Sequence, residues 1–409
     1  MNIEIITTPN ENLKETGFGT KVACLNVLNS IKKLNHVARL NVCTTREDLE
    51  KVVNRKPDLV ILAVKYISNW NGEEIWLAEY FADHNINFSG STKETLKFDS
   101  NKVLAKEFLR KKGINTADFF TAIPGQFKRE EELPLAFPLF LKPLDAANGN
   151  GVDDLSFVTN FSEFESKTLS LYTEFNLPVL VEEYLDGPEF TVAVLKTKTG
   201  ELIVSPIEIV PEASKNGLRI LGEKAKKDDN EIIKKNTNIA LTNRVKKLAI
   251  EVFNELGIRD LGRIDIKTNQ RGQCYFMEAN LVPGMTSGSS YFPKACKSEH
   301  GYSYDNIIEL ILEAGIDRVP ATLYPAITLG LATPLTGALL TATQLTTTPL
   351  PGTQLSGTPL VTTQLTTIPL PSTQLTATPL PGTPLSSTQL TATPLAATPL
   401  VATPLILVN

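Results

Sequence analysis

Gly262-Arg263-Ile264-Asp265-Ile266, a polar turn from Thr268 to Gly272, then Tyr275-Phe276-Met277-Glu278-Ala279-Asn280 and Leu281-Val282-Pro283-Gly284-Met285-Thr286-Ser287 form the stretch that decides the fold. Two strand-like runs around a short turn read as a hairpin. Side chains two apart on a strand share a face, so Glu278 and Asn280 lie together and Asp265 joins them from the neighbouring strand. Three hard oxygen ligands on rigid elements suit Mg²⁺ held between protein and polyphosphate. Any one of these acids alone reads more simply as a solvated surface carboxylate. The three together, followed by Pro-Gly-Met-Thr-Ser, point to a nucleotide site without a Walker loop.

Upstream segments supply the rest of such a site. Val179-Leu-Val-Glu182-Glu183-Tyr184-Leu185-Asp186-Gly187-Pro188-Glu189-Phe-Thr-Val is an apolar strand, an acidic linker and a second strand. Between two lobes a hinge of this kind offers backbone N–H and C=O groups to an adenine edge, while an acid accepts from a ribose hydroxyl. Phe137-Pro-Leu-Phe-Leu-Lys142 is a buried strand ending in lysine, followed by a loop containing Asn148, Gly149, Asn150 and Gly151. Gly and Asn tolerate positive φ and let amides turn inward on a phosphate. A lysine at the end of an apolar strand is costly to bury unpaired, and a phosphate partner accounts for it. The helix before it, beginning at Asp99-Ser100-Asn101-Lys102 and stopping at Gly113, is capped by Asp99 or Ser100 and carries Lys102 and Lys106 off its apolar stripe.

Composition narrows the class. The chain has 409 residues, 40 basic and 45 acidic, for a net charge of −5 without a basic patch, which argues against nucleic acid as a partner. Met1-Asn-Ile-Glu-Ile-Ile reads as a strand rather than a signal peptide, and no window before the tail is apolar long enough to span a membrane. Cys24, Cys43, Cys274 and Cys296 lie far apart, as expected of reduced thiols in a cytoplasmic protein. Alternating periodicity predicts strands at 3–7, 38–43, 58–63 and 86–89 with helices at about 20–34, 46–54 and 73–84, an open, mostly parallel α/β lobe.

These motifs resemble the ATP-grasp superfamily, most closely the D-alanine–D-alanine ligase family, over residues 1–318. The resemblance implies an α/β (α+β) protein: an N-terminal α/β lobe (1–95) and a grasp of two subdomains (96–177 and 178–318), with ATP between them. It implies an ATP- and Mg²⁺-dependent (or Mn²⁺-dependent) ligase that joins two small-molecule amino acids through an acyl phosphate, and a homodimer. Asp265, Glu278 and Asn280 would hold the metal. Lys106, with Lys102 second, would contact the α-phosphate, and Lys142 and Asn148 the phosphates. Glu182, Glu183, Tyr184 and Leu185 would hold the base, and Glu189 the ribose. Arg263 and the Gly284 amide would stabilise the tetrahedral oxyanion, and Ser289 would grip the second substrate's carboxylate. The hydrophilic 211–232 segment reads equally as a solvated loop or as a lid that excludes water, with Lys226 or Lys224 on the γ-phosphate.

The first lobe departs from the family pattern. The third strand ends in Val64-Lys65-Tyr66 where the family has His-Gly, and Glu15 is the one candidate for the first substrate's amino group. Two alternatives follow: a ligase of the same chemistry for other amino acids in a natural-product pathway, or an idle grasp that serves its tail as a scaffold.

From Leu335 to Leu405 leucine recurs every fifth residue, and residues 319–409 hold no charge. Half of the chain's 26 prolines lie beyond residue 320. A five-residue period fits neither helix nor strand, and proline opposes continuous pairing. We read this low-complexity tail as polyproline II or disorder in preference to a pentapeptide-repeat solenoid, with a possible role in interaction or aggregation.

Overall fold

The computed structural model describes residues 1–316 apart from 10–16, 19, 69–71, 145–148, 215–216 and 223–230, together with five strands of the tail. Residues 1–318 form one compact unit and the tail a second.

In the first lobe β1 (Asn2–Thr7) lies between β2 (Val37–Val42) and β3 (Leu59–Leu62), all parallel, with α1 (Lys21–Lys33) and α2 (Arg46–Asn54) as crossovers. The strand expected at 86–89 reduces to one parallel bridge, Val60 to Phe88. The helix expected from 73 begins only at Leu77: β4 (Tyr66–Ser68) pairs with β5 (Glu74–Trp76) before α3 (Leu77–Asp83), and the Tyr66 and Trp76 rings meet across the hairpin at 5.3 Å. The lysine-bearing helix is likewise divided, into α4 (Lys93–Ser100) and α5 (Lys102–Lys111). Its cap is neither Asp99 nor Ser100 but Asn101, whose extended backbone breaks the helix and whose side chain accepts from the Leu104 amide. That leaves the Asp99 carboxylate for other partners.

The second sheet, in order β6-β9-β7-β8, comprises β6 (Phe119–Ala122), β7 (Leu139–Pro143), β8 (Phe157–Val158) and β9 (Val179–Glu183), with α6 (Phe161–Phe175) packed on it. The third, in order β12-β11-β10-β13-β14, comprises β10 (Glu189–Lys196), β11 (Leu202–Val210), β12 (Ile232–Lys234), β13 (Leu261–Thr268) and β14 (Cys274–Asn280), all antiparallel. Helices α7 (Ile239–Glu255), α8 (Tyr291–His300) and α9 (Tyr304–Ile316) complete the unit.

Alternation along β10 divides the third sheet's faces. Phe190, Val192 and Val194 pack with Val245 and Phe253 of α7, whereas Ala193 and Leu195 pack with Phe292 and Cys296 of α8. Both of these cores also take in first-lobe residues such as Leu62 and Ile5. The second sheet has its own smaller core, centred on Leu139, Leu141, Phe164 and Val181. Among the described residues no helix is long and apolar enough to cross a membrane.

In the tail, β15 (Thr343–Pro349) pairs with β16 (Val361–Thr367), and β17 (Thr373–Pro379), β18 (Ser387–Pro394) and β19 (Leu400–Ile406) form a second antiparallel sheet. Strand structure here follows from β-branched threonine and valine. Proline ends β15, β17 and β18, and otherwise falls within the edge strand β19, the positions where a missing N–H is tolerated.

Candidate active site

A solvent-open cleft of about 880 Å³ runs between the second and third sheets, lined by Lys102, Phe140, Lys142, Glu182–Leu185, Glu189, Asp265, Lys267, Met277, Glu278 and the 219–221 segment among others. Register explains the third sheet's contribution. Thr191 pairs with Asp265 and Glu189 with Lys267, so these side chains share a face with Arg263, two residues from Asp265. On β14, Glu278 pairs with Asp265 but Phe276 pairs with Ile266, leaving Met277 as the extra residue of a β-bulge. Strict alternation would put Glu278 on the buried face with Phe276, which is 0% exposed. The bulge turns Glu278 to the cleft and keeps Phe276 in the core.

The wall from the second sheet is cationic. Glu182, 1% exposed, takes the Lys106 ammonium at 2.6 Å on one oxygen and the Lys142 ammonium at 2.7 Å on the other. Burial opposes the charge on Glu182, but the two ammoniums hold its carboxyl below the usual range. Burial, with Lys142 nearby, pushes Lys106 below the ordinary lysine range. Burial works against Lys142 as well, yet the carboxylates of Glu182, Glu278 and Glu189 raise it.

The opposite wall is acidic. Arg263 holds both oxygens of Asp265, at 3.1 and 2.9 Å, and lies 5.8 Å above the Tyr291 ring. Thr191 donates to Asp265, and the Asn280 amide lies 3.3 Å from its other oxygen. Burial and then the neighbouring Glu278 charge, acting against Arg263, raise the Asp265 carboxyl above the usual aspartate range. Lys102 reaches Glu278 at 3.6 Å, and Lys267 reaches Glu189 at 3.1 Å.

Among the described residues no three His, Cys, Asp or Glu side chains converge tightly enough to hold a metal alone. Asp265, Glu278 and Asn280 instead offer a few hard oxygens beside a carboxyl whose charge is under strain from its neighbour. That donor set fits an Mg²⁺ ion whose remaining ligands are phosphate oxygens and water.

The sequence-predicted residues are not all brought together. Lys142, Glu182, Glu183, Tyr184, Leu185, Glu189, Asp265 and Glu278 line the cleft. Lys106 does not: it is 0% exposed behind Glu182, and it is Lys102 that faces the cleft, reversing the expected order. The Glu183 and Tyr184 amides are spent on the carbonyls of Asp118 and Pro138. Gly284 and Ser289 sit outside the lining, on a loop tied to the first lobe by Met285 N–H to Phe18 O and Ser287 N–H to Asn26 Oδ1, both at 3.0 Å. Glu15, Asn148, Lys224 and Lys226 lie outside the described residues.

Sequence reasoning missed Lys267, Met277 and Arg219. Lys267 was legible by alternation from Asp265. Nothing in the sequence announces the bulge at Met277, and Arg219 stands among other basic residues of its segment. Arg219 donates to the Pro211 carbonyl at 2.6 Å. Close by, Gly222 passes so near Val152 that a Cβ would sit 2.3 Å from the Val152 carbonyl oxygen. Only glycine permits that approach.

Comparison with known proteins matches this architecture. The family described as "D-ala D-ala ligase C-terminus" matches residues 108–313. The D-alanine–D-alanine ligase of Marinomonas sp. (strain MWYL1) is 28% identical over 263 residues, 64% of this chain and 78% of that one. That of Aquifex aeolicus is 28% identical over 264 residues, 64% of this chain and 84% of that one. Among solved structures, the D-alanine–D-alanine ligase of Bacillus anthracis superposes with a TM-score of 0.60 at 23% identity, covering 77% of this chain and 97% of its own. The D-Ala:D-Ser ligase of Enterococcus faecalis superposes at 0.55 and 21%, covering 76% and 98%. Since the family match takes in just over half of the 409 residues and spans the second and third sheets that flank the cleft, the chain belongs to the D-alanine–D-alanine ligase family of ATP-dependent, ATP-grasp ligases.

Proposed function

We propose that the enzyme joins two amino acids by a peptide bond, transferring the γ-phosphoryl group of ATP to the first carboxylate and letting the second amine displace phosphate from the acyl phosphate. The observation that carries this reading is the pair of opposed walls: Lys142 and Lys102 face Asp265 and Glu278 across one cleft. Phosphoryl transfer asks mainly for positioning and charge neutralisation, which such walls provide.

With the preceding amides committed, Leu185 meets the base edge, and Glu189 accepts from the ribose. Lys142 and Lys102 meet the polyphosphate, and buried Lys106 holds Glu182 in place. Asp265, Glu278 and Asn280 hold Mg²⁺, which when bound neutralises phosphate charge. Arg263 turns toward the oxyanion formed by amine attack, assisted by the Gly284 amide, and Ser289 takes the second carboxylate. Glu15, Asn148 and Lys226 keep their sequence-assigned roles toward the first amino group, the phosphates and the γ-phosphate. The three sheets support lobes at 1–95, 96–177 and 178–318. Four free cysteines, three of them buried, suit a reducing cytoplasm.

D-Alanine is the first substrate to test, given the relatives' names. The Val64-Lys65-Tyr66 departure supports a second reading, other amino acids in the first position. Phosphate release from ATP and Mg²⁺ is to be measured with the full chain and with D- and L-amino acids singly and in pairs. Release with D-alanine alone, and dipeptide as product, is the expected result. Turnover only with another pair keeps the chemistry and changes the substrate, and ATP hydrolysis unresponsive to any amino acid sinks the proposal.

A further inference from the structure

Lys65 follows β3 and is 6% exposed. Its ammonium lies 3.0 Å from Asp99 Oδ1 and 3.0 Å from Ser100 Oγ. The second Asp99 oxygen accepts the backbone N–H of Leu281 at 2.6 Å. Leu281 directly follows Asn280, whose amide lies 3.3 Å from Asp265. One carboxylate, on the last turn of α4, therefore joins the first lobe to the end of β14.

The Lys65 ammonium and the Leu281 N–H hold the two Asp99 oxygens from opposite sides. Without the ammonium, the Asp99 carboxylate is free to rotate toward water. That rotation weakens the acceptor for Leu281, at a strand end where ligand positions must hold to within ~0.5 Å.

We infer that Lys65 is a positioning residue of the cleft: through Asp99 it fixes the Leu281 amide, and with it the end of β14 that carries Glu278 and Asn280. The first lobe thereby sets the geometry with which the third sheet receives a magnesium nucleotide. This rests on the reading of Glu278 and Asn280 as metal ligands.

The test compares full-length wild type with Lys65→Met, Lys65→Arg and Arg55→Met. Arg55 is the control, since it forms another ion pair of the first lobe, with the buried Glu4 at 2.7 Å, away from the cleft. Three quantities are read: hydrogen exchange at the Leu281 amide, Mg²⁺-dependent binding of a non-hydrolysable ATP analogue, and Tm. In Lys65→Met, exchange at Leu281 accelerates and binding weakens about tenfold, the scale of one charge-assisted hydrogen bond. Lys65→Arg restores most of both. Arg55→Met lowers Tm and leaves binding and Leu281 exchange at the wild-type level. Unchanged exchange in Lys65→Met, or an equal loss of binding in Arg55→Met, overturns the inference. Failure of the wild type to bind any magnesium nucleotide would count against the ligase reading instead, and Leu281 exchange would then alone support or overturn the link from Lys65 to the strand end.

Discussion

The two walls of the cleft carry opposite versions of one arrangement. On the second sheet a lone carboxylate, Glu182, sits between two ammoniums, and on the third a lone guanidinium, Arg263, sits with Asp265 and Glu278. The minority charge is held firmly in each case: Glu182 is kept below the usual carboxylate range, and Arg263 is raised further by Asp265 in spite of burial. One majority charge on each wall is unsettled, with Lys106 depressed and Asp265 raised, while Lys142 is raised by the surrounding carboxylates. The cluster of Glu182, Lys106 and Lys142 thus carries a net positive charge and that of Arg263, Asp265 and Glu278 a net negative one, the latter met in part by Lys102 at 3.6 Å. A polyphosphate and its cation are the ligand pair that satisfies both at once.

Breaking the minority charge should give the largest effect. Glu182→Gln leaves Lys106 and Lys142 buried without the carboxylate they share, and we expect a loss of about 3–5 kcal/mol in denaturant unfolding. The sign with pH follows from the depressed carboxyl: its stabilisation is complete above the ordinary glutamate range and is lost as pH falls through the lower folded-state value. The gap between wild type and Glu182→Gln should therefore close on acidification. A constant gap would show that the cluster is held by packing rather than charge.

Breaking a majority charge should spare the fold and stop the chemistry. Asp265→Ala is expected to lower ligase turnover by at least ~10²-fold while the protein stays folded by circular dichroism. Full turnover in that variant would remove the acidic wall from the mechanism. The smallest effect concerns neither wall but the 219–222 segment that lines the cleft beside Val152. Gly222→Val places a side chain against the Val152 carbonyl, and a displacement of this kind should raise the KM for ATP about tenfold with little change in Tm. An unaltered KM would mean that the segment need not approach Val152 during turnover.

Much of this was written plainly in the chain. The alternating strands and helices of the first lobe and the apolar strand ending in Lys142 follow from period and residue type alone. What was not legible depends on partners distant in sequence. Lys102 and Lys106 lie one helical turn apart, and only the break at Asn101 and the position of Glu182 decide which one is buried. Glu278 faces the cleft because β14 gains a residue relative to β13, a fact of pairing rather than of composition. The hairpin at Tyr66 and Trp76 displaced an expected helical turn because cross-strand ring contact outweighed local helical pattern.

The separate core under the second sheet has a thermodynamic consequence. First-lobe and third-sheet side chains share two large clusters, whereas the second sheet is held by a cluster of its own with few members. Cooperative units with small cores open more often than the molecule that carries them. The second sheet is therefore expected to open more readily than the third, which shares the large clusters. Bound ATP, by bridging the two, would act as a tie rod that raises the stability of the weaker unit toward that of the whole.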